Sequence, residues 1–316
     1  MAMPSLVSIL RALRSGDRRD FRRLAVLSGG YLLTGVLPRR LDPWAVGRLL
    51  RSSFVIRGVW VRRIVESMQQ MLGEALRGAD FESMARSYCE MVRETLWIRF
   101  RAFHTTRVPV ETSVEGLHLI RNALGAGNGA ILWGMSFCET LPVKIALHRA
   151  CVPLIQLSSA FHGVPSETQL GLEVVGPFYS APENPFLLER VNIPADGSLG
   201  FLRLLQDRLT ENGCVYIRGD LRSRRSNIMA PVFGQDMGFA LGAPGLSWSL
   251  RSPLLPIHVV RDGPFRYRAV VHPPIEADRS LDKKQFVRES VGQFAEMLER
   301  CASESPSDWE IWAGMV

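Results

Sequence analysis

Apolar residues in the first third of the chain recur at helical spacing. In the segment 59–75 the apolar positions include Val61, Ile64, Val65, Met68, Met71 and Leu72. This spacing is typical of one face of an α-helix, and the segment 81–103 continues the pattern. In the second segment, Trp97-Ile98-Arg99-Phe100-Arg101 alternates apolar residues with arginine, which indicates a helix end or a surface contact. We therefore predict that residues 1–103 form a helical region.

From residue 108 the pattern changes to short apolar runs that alternate with amphipathic segments. The predicted strands are 108–110, 129–133, 152–158, 214–218, 254–260 and 267–272. The predicted helices are 114–124, 139–150, 197–210, 241–250 and 282–301. Apolar strands separated by helices are typical of a parallel sheet that is covered on both faces. The predicted fold class is therefore α/β, a mainly parallel sheet flanked by helices, with residues 104–316 forming one core after the region 1–103.

Functional side chains in such a sheet lie beyond the carboxyl ends of the strands. The stretches that follow the predicted strands are 134–139, 158–167, 218–223 and the residues after 260. Candidate chemistry is therefore expected in these four stretches.

Positive charge is concentrated in the first fifth of the chain. Residues 1–63 contain thirteen arginines and three acidic residues, a net charge of +10, so the remaining residues have a net charge of −3. Between two arginine pairs, the fourteen residues 24–37 are uncharged, too few for the roughly 20 residues of a membrane-spanning helix. An apolar helix flanked by arginines is typical of a segment lying in an anionic membrane interface. A buried first helix with a solvated arginine rim is the alternative.

Nucleic acid is not an expected partner, because neither a basic recognition helix nor a strand studded with aromatic residues occurs. The five cysteines are odd in number and form no CxxC pair, which fits reduced thiols. No metal-ligand spacing, phosphate-binding loop or dinucleotide fingerprint is seen, so we predict no metal and no other cofactor. Core or surface roles are expected for five histidines, namely His104, His118, His148, His258 and His272.

Several short motifs occur in a fixed order along the chain. They are Val114-Glu115-Gly116-Leu117, Ala123-Leu124, Gly127-Asn128-Gly129, Tyr216-Ile217-Arg218-Gly219-Asp220, Pro231-Val232-Phe233-Gly234, Leu241-Gly242-Ala243-Pro244 and Pro253-Leu254-Leu255-Pro256-Ile257. In this order the segment 110–260 resembles the lysophospholipid acyltransferase superfamily, most closely its lipid A lauroyl/myristoyl acyltransferase branch. The resemblance implies a glycerol-phosphate acyltransferase-like fold. It also implies transfer of a fatty acyl group from a thioester of acyl carrier protein or coenzyme A.

The catalytic motif of that family is a histidine followed after four residues by a carboxylate. The corresponding stretch here runs from Gly134 to Glu139, so a glycine stands at the histidine position and the carboxylate is retained. In the family, the histidine removes a proton from the acceptor hydroxyl and the carboxylate orients the imidazole. The resemblance therefore implies a catalytic role for Glu139 and requires another residue to act as the base.

His162 is the candidate for that base. It follows the predicted strand 152–158, and Glu167 lies five residues after it, so the segment restores a comparable spacing at a neighbouring strand end. A loop histidine that is hydrogen-bonded to the backbone is the alternative. We predict that Glu139 and His162 are the catalytic residues.

A charged loop at the end of strand 214–218 is the candidate substrate-binding site. It contains Arg218, Asp220 and Arg222, and arginine side chains suit the phosphate of an acyl carrier, of coenzyme A or of a phospholipid. Ser136 is included in this set, with capping of the next helix as its alternative role. A solvated basic loop is the alternative for the arginines.

These observations predict an acyltransferase with a non-standard site that acylates an amine or hydroxyl of a lipid or specialised metabolite. We expect a peripheral protein on the cytoplasmic side of a bacterial inner membrane, or a soluble cytoplasmic one. One alternative is an inactive acyltransferase-like protein that binds lipids or acyl chains. Another alternative is a hydrolase built on Cys138 or Ser136. Separately, Trp309 and Trp312 are expected to act as a packing lid.

Overall fold

A computed structural model of the chain describes residues 18–49, 58–159, 168–194, 198–220 and 227–312. Its helices are α1 (Arg18–Val36), α2 (Gly58–Leu72), α3 (Phe81–His104), α4 (Leu117–Gly125), α5 (Thr140–Arg149), α6 (Gly200–Thr210), α7 (Gly242–Leu250) and α8 (Lys283–Glu304). Its strands are β1 (Glu111–Glu115), β2 (Ala130–Gly134), β3 (Leu154–Ser159), β4 (Glu189–Ile193), β5 (Cys214–Arg218), β6 (Asn227–Val232), β7 (Gln235–Ala240), β8 (Leu254–Gly263) and β9 (Arg266–Val271). Shorter helical turns occupy Arg39–Leu41, Asp42–Trp44, Ala45–Leu49, Gly171–Val175, Gly176–Ser180, Ala181–Phe186 and Pro306–Asp308.

Within the described residues, seven strands form one sheet in the order β1-β9-β8-β2-β5-β3-β4. Neighbouring strands are parallel except for the antiparallel pair β8 and β9. The central strand β2 is buried at all five positions, as expected for a parallel strand covered on both faces. The predicted α/β class with a mainly parallel sheet is confirmed.

The prediction was wrong at the first strand. Residues 111–115 form the edge strand β1, although a helix had been predicted to begin at residue 114. Their side chains are exposed and half-buried in alternation. Gly116 then turns the chain with a φ of +73°, and its Cβ position lies 2.3 Å from the carbonyl oxygen of Val271. Because β1 has few apolar residues, its sequence did not indicate a strand.

Three further strands were not predicted. The polar strand β4 pairs with β3 at the sheet edge, and β6 and β7 form a separate antiparallel hairpin. Phe233 and Gly234, at the tip of the hairpin, have φ values of +50° and +71°. Such mirror-image turns are typical of tight hairpins, but Phe-Gly is an uncommon pair for one.

The N-terminal helices pack on the sheet domain through α3. The Cβ position of Gly30 lies 2.1 Å from the Phe100 ring, so only glycine permits α1 to approach α3 this closely. The Nε of Arg101 donates to both carboxylate oxygens of the buried Asp42, at 3.0 and 3.1 Å. Thus the alternating segment 97–101 extends into the last turn of α3, as one of the two expectations had it, but it is buried and is not a surface contact.

The outer side of α1 exposes large apolar side chains. Leu32 is 67% exposed and Val36 is 81% exposed, with Phe21 at 40% near the start of the helix. In the part of the chain that the structure describes, no helix combines the length and apolar character that crossing a bilayer requires. The exposed apolar side chains of α1 are therefore not part of the protein core.

Candidate functional site

The carboxyl ends of β2 and β5 meet at one edge of the sheet, because the two strands are parallel neighbours with Gly134 opposite Arg218. Asp220 lies two residues beyond β5 and accepts a hydrogen bond from the backbone amide of Ser136 at 2.7 Å. The Ser136 hydroxyl also donates to this carboxylate. The structure therefore places Ser136, Arg218 and Asp220, three of the predicted site residues, in direct contact.

Ser136 has a different local role from helix capping. The Nε of Arg218 donates to the Ser136 hydroxyl at 3.1 Å, so this oxygen lies between a guanidinium and a carboxylate. Helix α5 begins after Glu139, which makes no side-chain capping hydrogen bond. Ser136 is thus a polar link between the ends of β2 and β5.

The backbone of Glu139 has a conformation that residues other than glycine rarely adopt. Its φ and ψ are +57° and 163°, a region occupied almost exclusively by glycine, and Cys138 before it has a φ of +51°. Such strain typically costs about 1–3 kcal/mol per residue and clusters at functional sites. The Glu139 carboxylate forms an ion pair with the buried Arg99, and its side chain is 32% exposed.

A buried charge network supports this ion pair from beneath. Glu183, which is fully buried, accepts from Lys144 at 2.6 Å and from Arg190 at 2.9 Å, and lies 3.4 Å from Arg99. Burial lowers the pKa of Lys144 to about 7, against the opposing effect of Glu183. The network links the helical turn 181–186 to α3 and α5, and so fixes the direction from which Arg99 reaches Glu139.

Gly134 has no room for a side chain. A Cβ at this position would lie 2.2 Å from the Tyr216 hydroxyl oxygen and 2.4 Å from Cζ of the same ring. Tyr216 belongs to β5 and is 2% exposed. Burial raises the pKa of Tyr216 well above its usual value, so the phenol remains protonated and can donate a hydrogen bond but cannot act as a base.

Substituting Gly134 with alanine is therefore expected to destabilise the fold by about 1–3 kcal/mol, the usual cost of overpacking a core. The comparison is Gly292→Ala on α8, where nothing lies within 4 Å of the Cβ position. That substitution is expected to be neutral or to stabilise by about 0.4–1 kcal/mol. Urea unfolding of both variants measures the difference, and equal stabilities would contradict the proposed filling of this space by Tyr216.

Glu310 reaches the same sheet edge from the C-terminal segment. Its backbone amide donates to the carbonyl oxygen of Ser136 at 2.8 Å, and its Oε2 accepts from Arg218 at 3.1 Å. Phe137 and Trp309 form a β-bridge directly beside it. Among the described residues, Oε1 of Glu310 is buried and has no hydrogen-bond partner.

The environment of Glu310 favours the neutral acid. Burial is the main cause that raises its pKa to about 7, and the nearby carboxylates of Glu139 and Asp220 add to the increase. The Arg218 guanidinium and a backbone hydrogen bond from Glu139 oppose it. A carboxyl group with a pKa near neutrality can exchange a proton in both directions. The chemistry available at this edge is therefore proton transfer next to a guanidinium.

Cys138 does not have the environment of a nucleophile. Its side chain is fully buried, and burial together with the nearby Asp308 raises the pKa of the thiol well above its usual value. A thiol that stays protonated is a poor nucleophile. Trp309 and Trp312 are 1% and 0% exposed, so they are part of the core beneath this edge.

Two of the predicted site residues, His162 and Arg222, lie outside the described residues, as does Glu167. Glu310, Arg99 and Glu183 also belong to this site but were not predicted from the sequence. Arg99 is in the alternating segment 97–101, whose arginines could have been assigned to buried ion pairs. Glu310 is next to Trp309, and its position between buried tryptophans was the available signal.

Residues 189–312 match the family model for bacterial lipid A biosynthesis acyltransferases. The matched segment begins at β4 and includes β5, α8 and Glu310, but not the stretch 134–139. The match supports a lipid A acyltransferase-like family and acyltransferase activity in general. No curated protein matches the chain.

Proposed function

We propose that the protein transfers an acyl group from a thioester to an amine or hydroxyl acceptor, with Glu310 as the proton acceptor. The observation on which this depends is the buried, unpartnered Oε1 of Glu310 at the strand edge that also holds Ser136 and Arg218. Burial of an unpaired acceptor is costly, which is why such an atom suggests a ligand. The match of residues 189–312 supports the reaction class.

In the proposed reaction, the carboxylate of Glu310 removes the proton of the acceptor N–H or O–H as that atom attacks the thioester carbonyl carbon. A bond from the acceptor to the acyl carbon forms, and the resulting oxyanion is stabilised by nearby donors such as the Arg218 guanidinium. The carbon–sulfur bond then breaks. The departing thiolate takes the proton from Glu310, which regenerates the carboxylate.

Glu139 has a supporting role in this proposal. Its negative charge is one cause of the high pKa of Glu310, and an ion pair with Arg99 holds its carboxylate in place. His162 is the alternative proton acceptor. An amine acceptor needs less help than an alcohol, because a neutral amine is already nucleophilic, so we favour an amine.

The donor is proposed to be a thioester of acyl carrier protein or coenzyme A. Both carry phosphate, and arginine suits phosphate recognition because its donors match the oxygen geometry. Because Arg218 contacts Glu310 beside the proposed reacting carbon, the proposed phosphate contact is Arg222, predicted in the loop after β5.

The test is release of free thiol from acyl-coenzyme A and acyl-carrier-protein donors in the presence of an amine and lipid acceptor pool. The reaction is expected to depend on both donor and acceptor, and mass spectrometry should detect the acylated acceptor. Thiol release that does not need an acceptor indicates a hydrolase instead. Comparing the variants His162→Ala and Glu310→Gln distinguishes the two proposed bases.

The rate should rise with pH through about 7. Glu310 must be deprotonated to accept a proton, and its pKa of about 7 makes the active carboxylate form dominant only above this pH. The expected profile of kcat/KM therefore falls tenfold per pH unit on the acidic side. A profile that is flat between pH 5.5 and 8, or that rises through about 4.5 as for an ordinary glutamate, contradicts this assignment.

We also propose that α1 lies on an anionic membrane surface. Its outer side exposes Phe21, Leu32 and Val36, and exposed arginines are found at its start and just after its end, including Arg18 and Arg40. Apolar side chains that insert between lipids, together with arginines at the headgroups, match the pattern of interfacial helices. Cytoplasmic-side attachment to an inner membrane is the expected setting.

Replacing both Leu32 and Val36 with aspartate is expected to weaken binding to phosphatidylglycerol-containing vesicles at least about 10-fold, because burial of each side chain contributes about 1.5–3 kcal/mol. Vesicle co-sedimentation measures the change. The matched control replaces Leu188 and Leu199 with aspartate. These two side chains are 67% and 56% exposed elsewhere on the surface. Equal losses in the two double variants would contradict a specific role for α1.

A second candidate is a lipid- or acyl-chain-binding protein without turnover. The observation that favours it is Gly134, where the Tyr216 ring occupies the space that a side chain would need. The same thioester assay separates the two functions. Saturable acyl-chain binding with no acceptor-dependent thiol release supports the binding protein and contradicts the transferase.

A further inference from the structure

Two histidines and a cysteine converge on the side of the sheet away from Arg218. His258 lies in β8, His272 follows β9, and Cys301 lies in the last turns of α8. The Nδ1 of His258 and the Nε2 of His272 are 3.0 Å apart. The Cys301 Sγ is 3.9 Å from the first nitrogen and 3.7 Å from the second.

These distances fit a tetrahedral zinc ion. Zinc lies about 2.0–2.1 Å from histidine nitrogen and about 2.3 Å from thiolate sulfur, so tetrahedral ligands are separated by about 3.3 Å between nitrogens and about 3.6 Å from nitrogen to sulfur. The observed separations are within 0.4 Å of these values. A small movement of side chains is enough to reach metal geometry.

The protonation and access of the three groups are also suitable. Burial is the main cause that lowers the pKa of both histidines, that of His258 to about 3, so both rings are neutral and have a lone pair available. His258 and Cys301 are buried, at 5% and 2% exposed, while His272 is half-buried and gives an entry path. Burial raises the pKa of the thiol to about 12, so a bound cation would have to displace its proton.

We propose that His258, His272 and Cys301 bind one Zn²⁺ ion, with a water or the Glu304 carboxylate as the fourth ligand. The proposal does not depend on acyl transfer. Glu304 is three residues after Cys301 on the same helix face, and its charge acts on His272. No ligand spacing along the chain indicates this site, because the three ligands come from three separate elements.

A bound ion would connect β8 and β9 to the end of α8. The Phe137 ring packs edge-on against His258 at 5.3 Å between centroids, and α8 leads directly into the segment that contains Glu310. We therefore assign the ion a structural role, in which it holds the C-terminal segment against the sheet.

The test uses the full-length protein, stripped with a chelator under reducing conditions and then titrated with Zn²⁺ or Co²⁺. We expect one equivalent of tightly bound Zn²⁺ and a melting temperature about 5 °C higher at hundredfold saturation. Co²⁺ should give the intense visible bands of a tetrahedral site and a thiolate charge-transfer band in the near ultraviolet.

Cys301→Ser and His272→Gln should each weaken Zn²⁺ binding about 10-fold or more, and the first should abolish the charge-transfer band. His118→Gln is the matched control, because His118 is an exposed histidine on α4. Melting curves of the metal-free protein identify variants that fail to fold. His272→Gln is expected to disturb folding less than Cys301→Ser, because His272 is half-buried and Cys301 is buried. Absence of stoichiometric binding, or binding that neither variant weakens, overturns the proposal.

Discussion

Substituting Glu310 with glutamine is expected to lower kcat about 10²- to 10⁴-fold, the usual cost of losing a general base. Glutamine has nearly the same shape as glutamate and can still accept a hydrogen bond from Arg218, but it does not accept a proton. The rise of the rate through pH 7 should also disappear in any residual activity. Steady-state kinetics with a saturating thioester donor measures both effects.

The control for this substitution is Glu296→Gln, which removes an exposed carboxylate from α8 and should leave kcat within about twofold. Urea unfolding should give both variants a stability close to that of the wild-type protein. A Glu310→Gln variant that folds and keeps a rate within threefold of wild type would remove Glu310 from the reaction. His162→Ala should then be the variant that loses activity.

Substituting Glu183 with alanine is expected to destabilise the protein by about 3–5 kcal/mol, the cost of leaving buried charges without their counterion. Lys144 and Arg190 both donate to Glu183, and the Lys144 and Glu183 side chains are fully buried. Loss of the carboxylate leaves these cations desolvated, and Lys144 is expected to lose its proton. Urea unfolding, followed by circular dichroism, measures the change in free energy of unfolding.

The control for this change is Glu173→Ala in the helical turn 171–175, where the carboxylate is exposed and accepts only from Gln169 among its described hydrogen bonds. Exposed substitutions of this kind usually change stability by less than about 0.5 kcal/mol. If the two alanine variants unfold at the same urea concentration, the buried network contributes little to the stability of the fold.

The sheet edge with Ser136, Arg218 and Asp220 could be predicted from the sequence because it depends on local patterns. The apolar runs of β2 and β5 identify buried strands, and the carboxyl ends of parallel neighbours meet at one edge. The polar residues that follow each run are therefore neighbours in space. No contact between distant side chains was needed for this inference.

The remaining features depend on contacts between segments far apart in the chain. Glu310 lies 174 positions after Ser136 in the chain, and Glu183 meets Lys144 from a helical turn with no regular pattern. The edge strands β1 and β4 lacked apolar runs, so periodicity gave no signal for them. Short-range sequence rules describe neither kind of feature, because both are determined by how the elements pack.

The contact between Gly134 and Tyr216 restricts which substitutions the chain can accept in succession. Any side chain at position 134 meets the tyrosine ring, so a histidine there is accessible only after position 216 has first changed to a smaller residue. That first change alone would leave a cavity in the core, with its own loss of stability. Descendants of this protein are therefore two substitutions away from a histidine at this strand end, and the first of the two lowers stability.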